Sequence, residues 1–165
     1  ARLMEFDSEF DAVISLCQGA FGLAGGPGSD RAVLDPDGAI LERIVAAARP
    51  GGGVVLSAFS AYFQVRFLED GDTFDAGTGV NLERTVLRDL EGVEVETDLW
   101  TTCFTPRELR LMADGVGLVV ESIDSVEPGD WSPMAPKIDS PEFLVVTRRE
   151  TREDVTRYHT QDALG

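Results

Sequence analysis

The sequence predicts a mixed α/β fold built around a partly parallel sheet, and three features of the chain lead to this prediction. In the first third, an apolar run, an amphipathic helical segment and a second apolar run follow one another, which is the order of a parallel crossover unit. Near the middle, two stretches alternate apolar and polar residues, as antiparallel strands with one face in water do. A capped helix and two closing strand-like runs complete the chain.

The first predicted strand covers residues 10–17, and its apolar run "AVISL" is typical of a strand that is buried on both faces. A glycine-rich stretch follows at residues 19–28 and raises the question of a phosphate-binding loop. Such a loop leads directly into a helix, and no helix start comes immediately after these glycines. We therefore expect a loop beyond the tip of the strand rather than a nucleotide cradle.

The first predicted helix begins at Asp35, which can cap it, with Pro36 at the first helical position and Asp37 near the positive end of the helix dipole. Apolar residues then recur at helical spacing. The proline and glycines of residues 50–53 predict a turn, and residues 54–59 predict a second buried strand parallel to the first.

The middle of the chain departs from this alternation. The aromatic and then glycine-rich segment after residue 59 predicts an irregular excursion. Residues 80–89 and 93–103 predict an antiparallel pair of strands, because apolar and polar residues alternate along both.

The last predicted helix has Thr105 as its cap, Pro106 at its first position and Glu108 as the partner in a capping box. Residues 117–126 predict a strand, a proline-rich loop follows, and residues 142–149 predict the closing strand.

Composition excludes several classes of partner. The 165 residues are 43% apolar, which is enough for one domain with a packed core. The net charge of −16, from 30 acidic and 14 basic residues, argues against nucleic acid and against anionic membranes, which need clustered cations. Lys137 is the only lysine, so no P-loop lysine is available. No apolar run approaches the roughly 18 residues that span a bilayer, and we expect a cytoplasmic protein.

Metal-ligating and nucleophilic side chains are few. Cys17 and Cys103 lack the spacing of metal ligands, so we expect no metal site. The one histidine, His159, lies in a polar tail over residues 150–165 that is typical of a solvated chain end. The catalytic residue stays unassigned.

Four motifs carry a resemblance to a known family: "EFDAVISL", "ILERIVAAARPGGGVVLSAF", "CFTPRELRLMADGVGLVVESI" and "PEFLVVTRR". In this order they resemble the fourth strand, the next helix with its turn and fifth strand, the following helix and strand, and the closing strand of a class I S-adenosylmethionine-dependent methyltransferase. The resemblance covers residues 1–149. It implies a partial Rossmann-like sheet with an inserted hairpin, and S-adenosylmethionine as the cofactor.

The family's first strand, its GxGxG loop and its ribose-binding acid have no counterpart, because nine residues precede the predicted fourth strand. The segment "ARLMEF" resembles the stretch just after the family's adenine-binding acid. We therefore expect a C-terminal portion of the domain that is inactive alone. The strand order also places residues 10–17 at a sheet edge, where an apolar strand predicts a neighbour: the N-terminal half, a partner chain or a second copy.

The resemblance further implies binding residues at the carboxyl ends of the strands. It places three residues, mostly through their backbone, beside the adenine of the cofactor: Ala1, Arg2 and Leu3. It places four residues along the methionine moiety: Leu16, Cys17, Gln18 and Gly19. The alternative is a core role for Leu16 and Cys17, and a loop role for Gln18.

Four aromatic residues are candidates for the acceptor pocket: Phe21, Tyr62, Phe63 and Trp100. The alternative is that Phe21 covers the strand end and that the others pack the hairpin on the core. Three charged residues lie near the same region and receive no catalytic role, because surface charges are common: Arg66, Glu83 and Arg84.

The implied reaction is transfer of a methyl group from a sulfonium to an oxygen, nitrogen or carbon nucleophile. The acidic charge favours a small-molecule acceptor over nucleic acid. The alternative function is a non-catalytic interaction module that docks a partner through the exposed sheet edge.

Overall fold

The computed structural model describes residues 2–17, 20–26, 35–127 and 129–154. The elements follow in the order β1 (Phe10–Ser15), α1 (Pro36–Ala47), β2 (Ala48–Phe59), α2 (Ala61–Arg66), β3 (Thr73–Asp75), β4 (Val80–Arg88), β5 (Glu94–Thr102), α3 (Pro106–Gly115), β6 (Leu118–Glu127), β7 (Asp130–Met134) and β8 (Glu142–Arg149). Within these ranges, no helix combines the length and the apolar composition that crossing a bilayer requires.

Five strands form the main sheet in the order β1-β2-β8-β6-β7. β1 and β2 run parallel and are connected through α1, whereas β8 is antiparallel to both β2 and β6. The structure therefore confirms the predicted α/β class, the parallel crossover and the antiparallel closing strand. It also places β1 at one edge of the sheet, as the order of the motifs predicts.

The other edge strand, β7, forms where the sequence predicts a loop. Gly129 has a φ of 82°, which permits a tight reversal, and Asp130 then pairs with Glu127 of β6. Pro133 cannot donate to a ladder, but β7 is the outermost strand and needs a partner on one side only. Its edge position lets a proline-containing segment join the sheet.

The predicted glycine turn is a bulge inside β2. The strand begins at Ala48, before these glycines, and its ladder with β1 is irregular there. A Cβ on Gly52 would lie 2.8 Å from the carbonyl oxygen of Arg49 and 3.0 Å from that of Asp11. The close approach of three backbone segments therefore requires glycine at this position.

The remaining three strands form a separate sheet in the order β3-β4-β5. β4 and β5 pair antiparallel from Val80 opposite Thr102 to Arg88 opposite Glu94, which confirms the predicted hairpin. The preceding excursion is more regular than expected, because the Ser60 hydroxyl accepts a hydrogen bond from the Phe63 N–H at 3.3 Å and caps the short helix α2.

Both predicted helix caps are present. Asp35 Oδ1 accepts a hydrogen bond from the Gly38 N–H at 2.7 Å and caps α1. The Thr105 hydroxyl accepts from the Glu108 N–H, and the Glu108 carboxylate accepts from the Thr105 N–H, both at 3.2 Å. This capping box fixes the start of α3.

Helices α1 and α3 and the main sheet enclose an apolar core. Its members include residues of α1, β2, α3, β6 and β8: Ile40, Leu41, Ile44, Val54, Leu56, Leu109, Ile123, Phe143 and Val145. The rings of Phe21 and Phe104 also belong to it and stack with their centroids 4.7 Å apart. This stack ties the loop after β1 to the segment that follows β5.

Asp37 is a buried carboxylate with a structural role that its position in the helix does not reveal. Its side chain is 2% exposed, and its Oδ1 accepts a hydrogen bond from the Gly22 N–H at 2.8 Å. The carbonyl of Gly22 in turn accepts from the Thr102 N–H of β5 at 2.7 Å. Burial raises the pKa of Asp37, and its hydrogen bonds offset only part of that effect. The carboxylate therefore connects α1, the loop after β1 and β5.

The side chains of β1 are less buried than its apolar run predicts. Phe10 is 40% exposed and Ile14 is 69% exposed. The physical reason is its edge position, because only β2 pairs with β1 in the described part of the chain. An apolar strand of the kind that is normally buried is thus left partly exposed to solvent in this chain.

The start of the predicted tail is held by the last strand. Arg148 of β8 donates to both carboxylate oxygens of Asp154, at 2.6 and 3.0 Å. These hydrogen bonds, together with those from Thr151, hold the pKa of Asp154 well below its usual range. The rest of the tail, including His159, lies outside the described residues.

Replacing Asp37 tests its role in joining the two sheets. We expect Asp37→Ala to lower the free energy of unfolding by about 1–3 kcal/mol, because the buried Gly22 N–H loses its acceptor. Asp37→Asn keeps one acceptor oxygen for the Gly22 N–H and removes the buried charge, but its NH2 group faces the other donors, the Ala24 N–H and the Thr102 hydroxyl, so we expect a smaller loss than for Asp37→Ala at pH 7. Urea unfolding of both variants measures the difference, and equal destabilisation by the two substitutions would contradict the assignment.

The wild-type protein and the Asp37→Asn variant also allow a test of how stability depends on pH. Because the folded-state pKa of Asp37 is raised, the folded protein holds this proton longer than the unfolded chain does. The contribution of Asp37 to the free energy of unfolding therefore falls as the pH rises from the unfolded-state pKa of about 4 through the folded-state pKa. We expect Asp37→Asn to remove that part of the pH dependence.

Candidate functional site

The two sheets meet at the carboxyl ends of β1 and β2. The Phe104 N–H donates to the Phe59 carbonyl at 2.8 Å, and the Ala61 N–H donates to the Phe104 carbonyl at 2.9 Å. The loop that leaves β1 is bound to β5 through Gly22. Ligands of open α/β sheets bind outside the carboxyl ends of parallel strands, so this junction is the candidate site.

The end of β1 turns sharply at Cys17. Cys17 has a φ of 52°, which a non-glycine residue rarely adopts, and its N–H donates to the Ser57 hydroxyl of β2 at 2.8 Å. Ser57 is fully buried, whereas Leu16 is half-buried and Cys17 is exposed. A buried side chain of β2 thus holds an exposed turn at the end of β1, and such held strain is often found at binding sites.

The residues predicted beside the adenine are only partly described. Arg2 and Leu3 lie in an exposed turn, and Leu3 is 93% exposed. Ala1, Gln18 and Gly19 lie outside the described residues. The described chain therefore contributes Leu16 and Cys17 at the strand end and an exposed N-terminal segment.

Among the predicted acceptor residues, Phe21 lies in the core. It is 1% exposed and stacks on Phe104, which is the packing role that the sequence left open as an alternative. The structure therefore shows a packing role for Phe21, whose ring is occupied by the stack on Phe104.

Tyr62 and Phe63 lie together on α2, a helix that has no buried residue. Tyr62 is 46% exposed, and the ring of Phe63 packs on that of Phe67 at 4.7 Å. The guanidinium of Arg66 lies 5.4 Å from the centroid of the Phe67 ring. This helix presents accessible aromatic surface just beyond the carboxyl end of β2.

Trp100 is placed differently from the aromatics of α2. It pairs with Leu82 across the hairpin, and a Cβ on Gly26 would lie only 3.2 Å from its side chain. Trp100 therefore supports the loop after β1, and the close approach explains a glycine in that loop.

Glu83 and Arg84, two charged residues of β4, lie on opposite faces of the hairpin. Arg84 pairs with Asp98 at 3.7 Å on an exposed face. Glu83 points to the other face, and partial burial together with Asp72 and Glu69 raises its pKa.

Sequence reasoning missed a buried polar cluster at the base of the hairpin. Asn81 and Thr101 are 1% and 2% exposed, and both polar atoms of Asn81 and the Thr101 hydroxyl lack a hydrogen-bond partner in the described structure. The available signal was a polar residue at an inward position of each predicted strand. Cys103 lies beside them, and burial raises the pKa of its thiol to about 11. Among the described residues, no group of three or more His, Cys, Asp or Glu side chains is arranged to hold a metal.

Solved methyltransferases share this fold. The CcbJ methyltransferase from Streptomyces caelestis superimposes with a TM-score of 0.64 at 18% sequence identity, over 89% of this chain and 64% of that one. An S-adenosylmethionine-dependent methyltransferase from Clostridium acetobutylicum ATCC 824 gives a TM-score of 0.62 at 10% identity, over 91% of this chain and 62% of that one. These likenesses show a Rossmann-like methyltransferase fold.

A third neighbour is CalS10, an amino pentose methyltransferase from Micromonospora echinaspora whose structure contains bound S-adenosylmethionine. It has a TM-score of 0.52 and 19% identity, over 90% of this chain and 61% of that one. This chain thus spans less than two thirds of the length of each of the three. No protein-family model and no curated protein sequence matches it.

The two thiols should differ sharply in reactivity. Cys17 is exposed, whereas Cys103 is buried and its pKa is about 11. At pH 8 we expect a disulfide reagent to modify one thiol per native chain, because the thiolate is the reactive form. Cys17→Ser should abolish this reaction and Cys103→Ser should preserve it, and equal labelling of both thiols in the native state would contradict the described burial.

Proposed function

We propose that the chain is the C-terminal part of an S-adenosylmethionine-dependent methyltransferase that acts on a small-molecule acceptor. The observation that carries the proposal is the fold, a sheet of order β1-β2-β8-β6-β7 with one parallel crossover, because it superimposes on solved methyltransferases at TM-scores of 0.64 and 0.62 despite low sequence identity. The net charge of −16 supports a small acceptor over nucleic acid. Two free cysteines fit a reducing compartment, and the proposed location is the cytoplasm.

The proposed cofactor site uses the end of β1 as one wall. Leu16 and Cys17, with the adjoining Gln18 and Gly19, would line the methionine moiety, and the backbone of Ala1, Arg2 and Leu3 would lie beside the adenine. The exposed turn that Ser57 holds at Cys17 fits a strand end that contacts a ligand. When bound, the cofactor supplies a methyl group activated by a sulfonium.

The opposite wall of the proposed site comes from polypeptide that packs on the bare edge of β1. Exposed Phe10 and Ile14 support this, because an apolar strand of a parallel sheet is normally covered on both sides. We assign the glycine loop to that covering segment, so this chain alone would be inactive.

The chain's own residues would act on the reaction mainly by position. The hairpin and α2 stand at the carboxyl ends of β1 and β2, where they can align an acceptor and exclude water. No side chain is assigned as the base that removes the acceptor's proton.

An alternative function is a non-catalytic module that docks through the edge of β1. The same exposed residues, Phe10 and Ile14, favour it.

Binding of S-adenosylhomocysteine tests the enzyme proposal. We expect the chain extended upstream of Ala1 to bind it tightly in calorimetry and to show slower modification of Cys17, whereas this chain alone binds weakly or not at all. Equally tight binding by the short chain would contradict the proposed second wall, and no binding by the extended chain would contradict the methyltransferase proposal.

A matched pair of variants locates that binding. In the extended chain, Leu16→Asp should weaken binding at least tenfold, or about 1.4 kcal/mol, because a carboxylate replaces apolar surface at the proposed wall. Leu111→Asp introduces the same side chain at a 55% exposed position on α3 and should leave binding unchanged.

The alternative function makes its own prediction about association. If β1 docks a second copy, light scattering should give the mass of a dimer or larger assembly for this chain. Ile14→Lys should restore the monomer, whereas Leu111→Lys should not. A wild-type monomer with a cooperative melt would contradict self-docking.

A further inference from the structure

We infer that Asn81 and Thr101 form a binding pair for a ligand group that presents a hydrogen-bond donor and an acceptor side by side, such as the cis-amide edge of a lactam. This inference deepens the proposed function and rests on it, because the ligand would be the acceptor molecule of the methyl transfer.

The two residues face each other across the hairpin. Asn81 of β4 is the register partner of Thr101 of β5, so their side chains project from the same face of the small sheet. They are 1% and 2% exposed, so both side chains are enclosed by the protein. The pair lies at the base of the hairpin. Thr101 is three residues before Phe104, whose backbone bonds to Phe59 at the carboxyl end of β2.

Buried side-chain atoms without a hydrogen-bond partner occur singly at Ser15 and Thr102 in the described structure, and together in this pair. Asn81 Oδ1 and Asn81 Nδ2 are buried without a hydrogen-bond partner in the described structure, and Thr101 Oγ1 has no nitrogen or oxygen partner there, only the weakly bonding thiol of Cys103. By contrast, the Thr147 hydroxyl, equally buried, donates to the Val54 carbonyl at 2.7 Å. An equally buried threonine on β8 therefore has an oxygen hydrogen-bond partner within the protein, whereas the side chains of this pair have no nitrogen or oxygen partner in the described structure.

A buried amide without partners is costly, and its presence in a native structure requires an explanation such as a bound water or ion or a functional role. We assign the missing hydrogen bonds here to a ligand. The carboxamide of asparagine carries one acceptor and one donor on the same edge, which matches a cis-amide or lactam edge in the way that asparagine matches adenine. The threonine hydroxyl adds a third group that can donate or accept.

The charge around the pair selects against anions. Glu83 lies two residues beyond Asn81 on the same face of β4, and Asp72 and Glu69 add to the negative field that it experiences. Cys103, on the other side of the pair, is a protonated and neutral thiol at pH 7. A neutral polar heterocycle therefore fits this site better than a carboxylate or a phosphate.

Two lactams that differ by one methyl group test the inference. We expect 2-pyrrolidone at millimolar concentration to shift the NMR signals of the Asn81 side-chain amide and of the Thr101 backbone amide. N-methyl-2-pyrrolidone keeps the carbonyl and loses the donor, so its shifts should be at least fivefold smaller at equal concentration. Equal shifts from both compounds, or no shift from either, would overturn the inference, and this comparison needs no variant.

Stability supplies a second test with a matched control. Thr101→Val and Asn81→Leu remove polar atoms that have no partner, so each should raise the urea midpoint, and Asn81→Leu should abolish the 2-pyrrolidone shifts at Thr101. Thr147→Val makes the same substitution at equal burial but breaks a hydrogen bond, so it should lower the midpoint. If Thr101→Val lowers the midpoint as Thr147→Val does, the pair is satisfied by buried water and the inference is wrong.

The test of lactam binding can fail or succeed independently of the test of the methyltransferase proposal. Asn81→Leu should leave S-adenosylhomocysteine binding by the extended chain unchanged, because the pair is assigned to the acceptor. Lactam binding without S-adenosylhomocysteine binding would retain the polar site and reject the methyltransferase proposal. The reverse result would reject the polar site alone.

Discussion

One hydrogen bond, from the Gly22 N–H to the buried Asp37 carboxylate, organises the junction on which the candidate site depends. It fixes the loop after β1, where the Gly22 carbonyl accepts a hydrogen bond from the Thr102 N–H. The neighbouring Phe21 stacks on Phe104. The small sheet is thereby attached at the carboxyl ends of β1 and β2. Burial destabilises the charged carboxylate and raises the pKa of Asp37. The hydrogen bonds by which Asp37 connects three elements offset part of that cost.

Much of the fold was predictable because its signals are local. The caps at Asp35 and Thr105 specify where α1 and α3 begin, and alternating residues specify the β4–β5 hairpin. The role of Asp37 was not predictable, since it depends on contact with a loop fifteen positions away in sequence. β7 was missed because its proline argues against a strand, and only its edge position makes the pairing permissible.

The candidate site was predictable in part. The strand order placed Leu16 and Cys17 at the end of an edge strand, and the structure has them there. The sequence leaves Phe21 open between a pocket role and a packing role, because its burial depends on the distant ring of Phe104. The unpartnered state of Asn81 follows from everything packed around it, so a sequence pattern cannot reveal it. Both incomplete features, the bare edge and the polar pair, thus lie in elements that meet at one junction.

We propose that β1, an edge strand in this chain, is an internal strand of a complete cofactor-binding sheet. Hydrogen exchange of the peptide that contains β1 tests it most directly, measured in this chain and in the chain extended upstream of Ala1, each with and without S-adenosylhomocysteine. We expect rapid exchange of the outward-facing β1 amides in the short chain and strong protection in the extended chain, with further protection when the ligand is added. Equal exchange of β1 in both chains, whether or not the ligand is present, would contradict the claim.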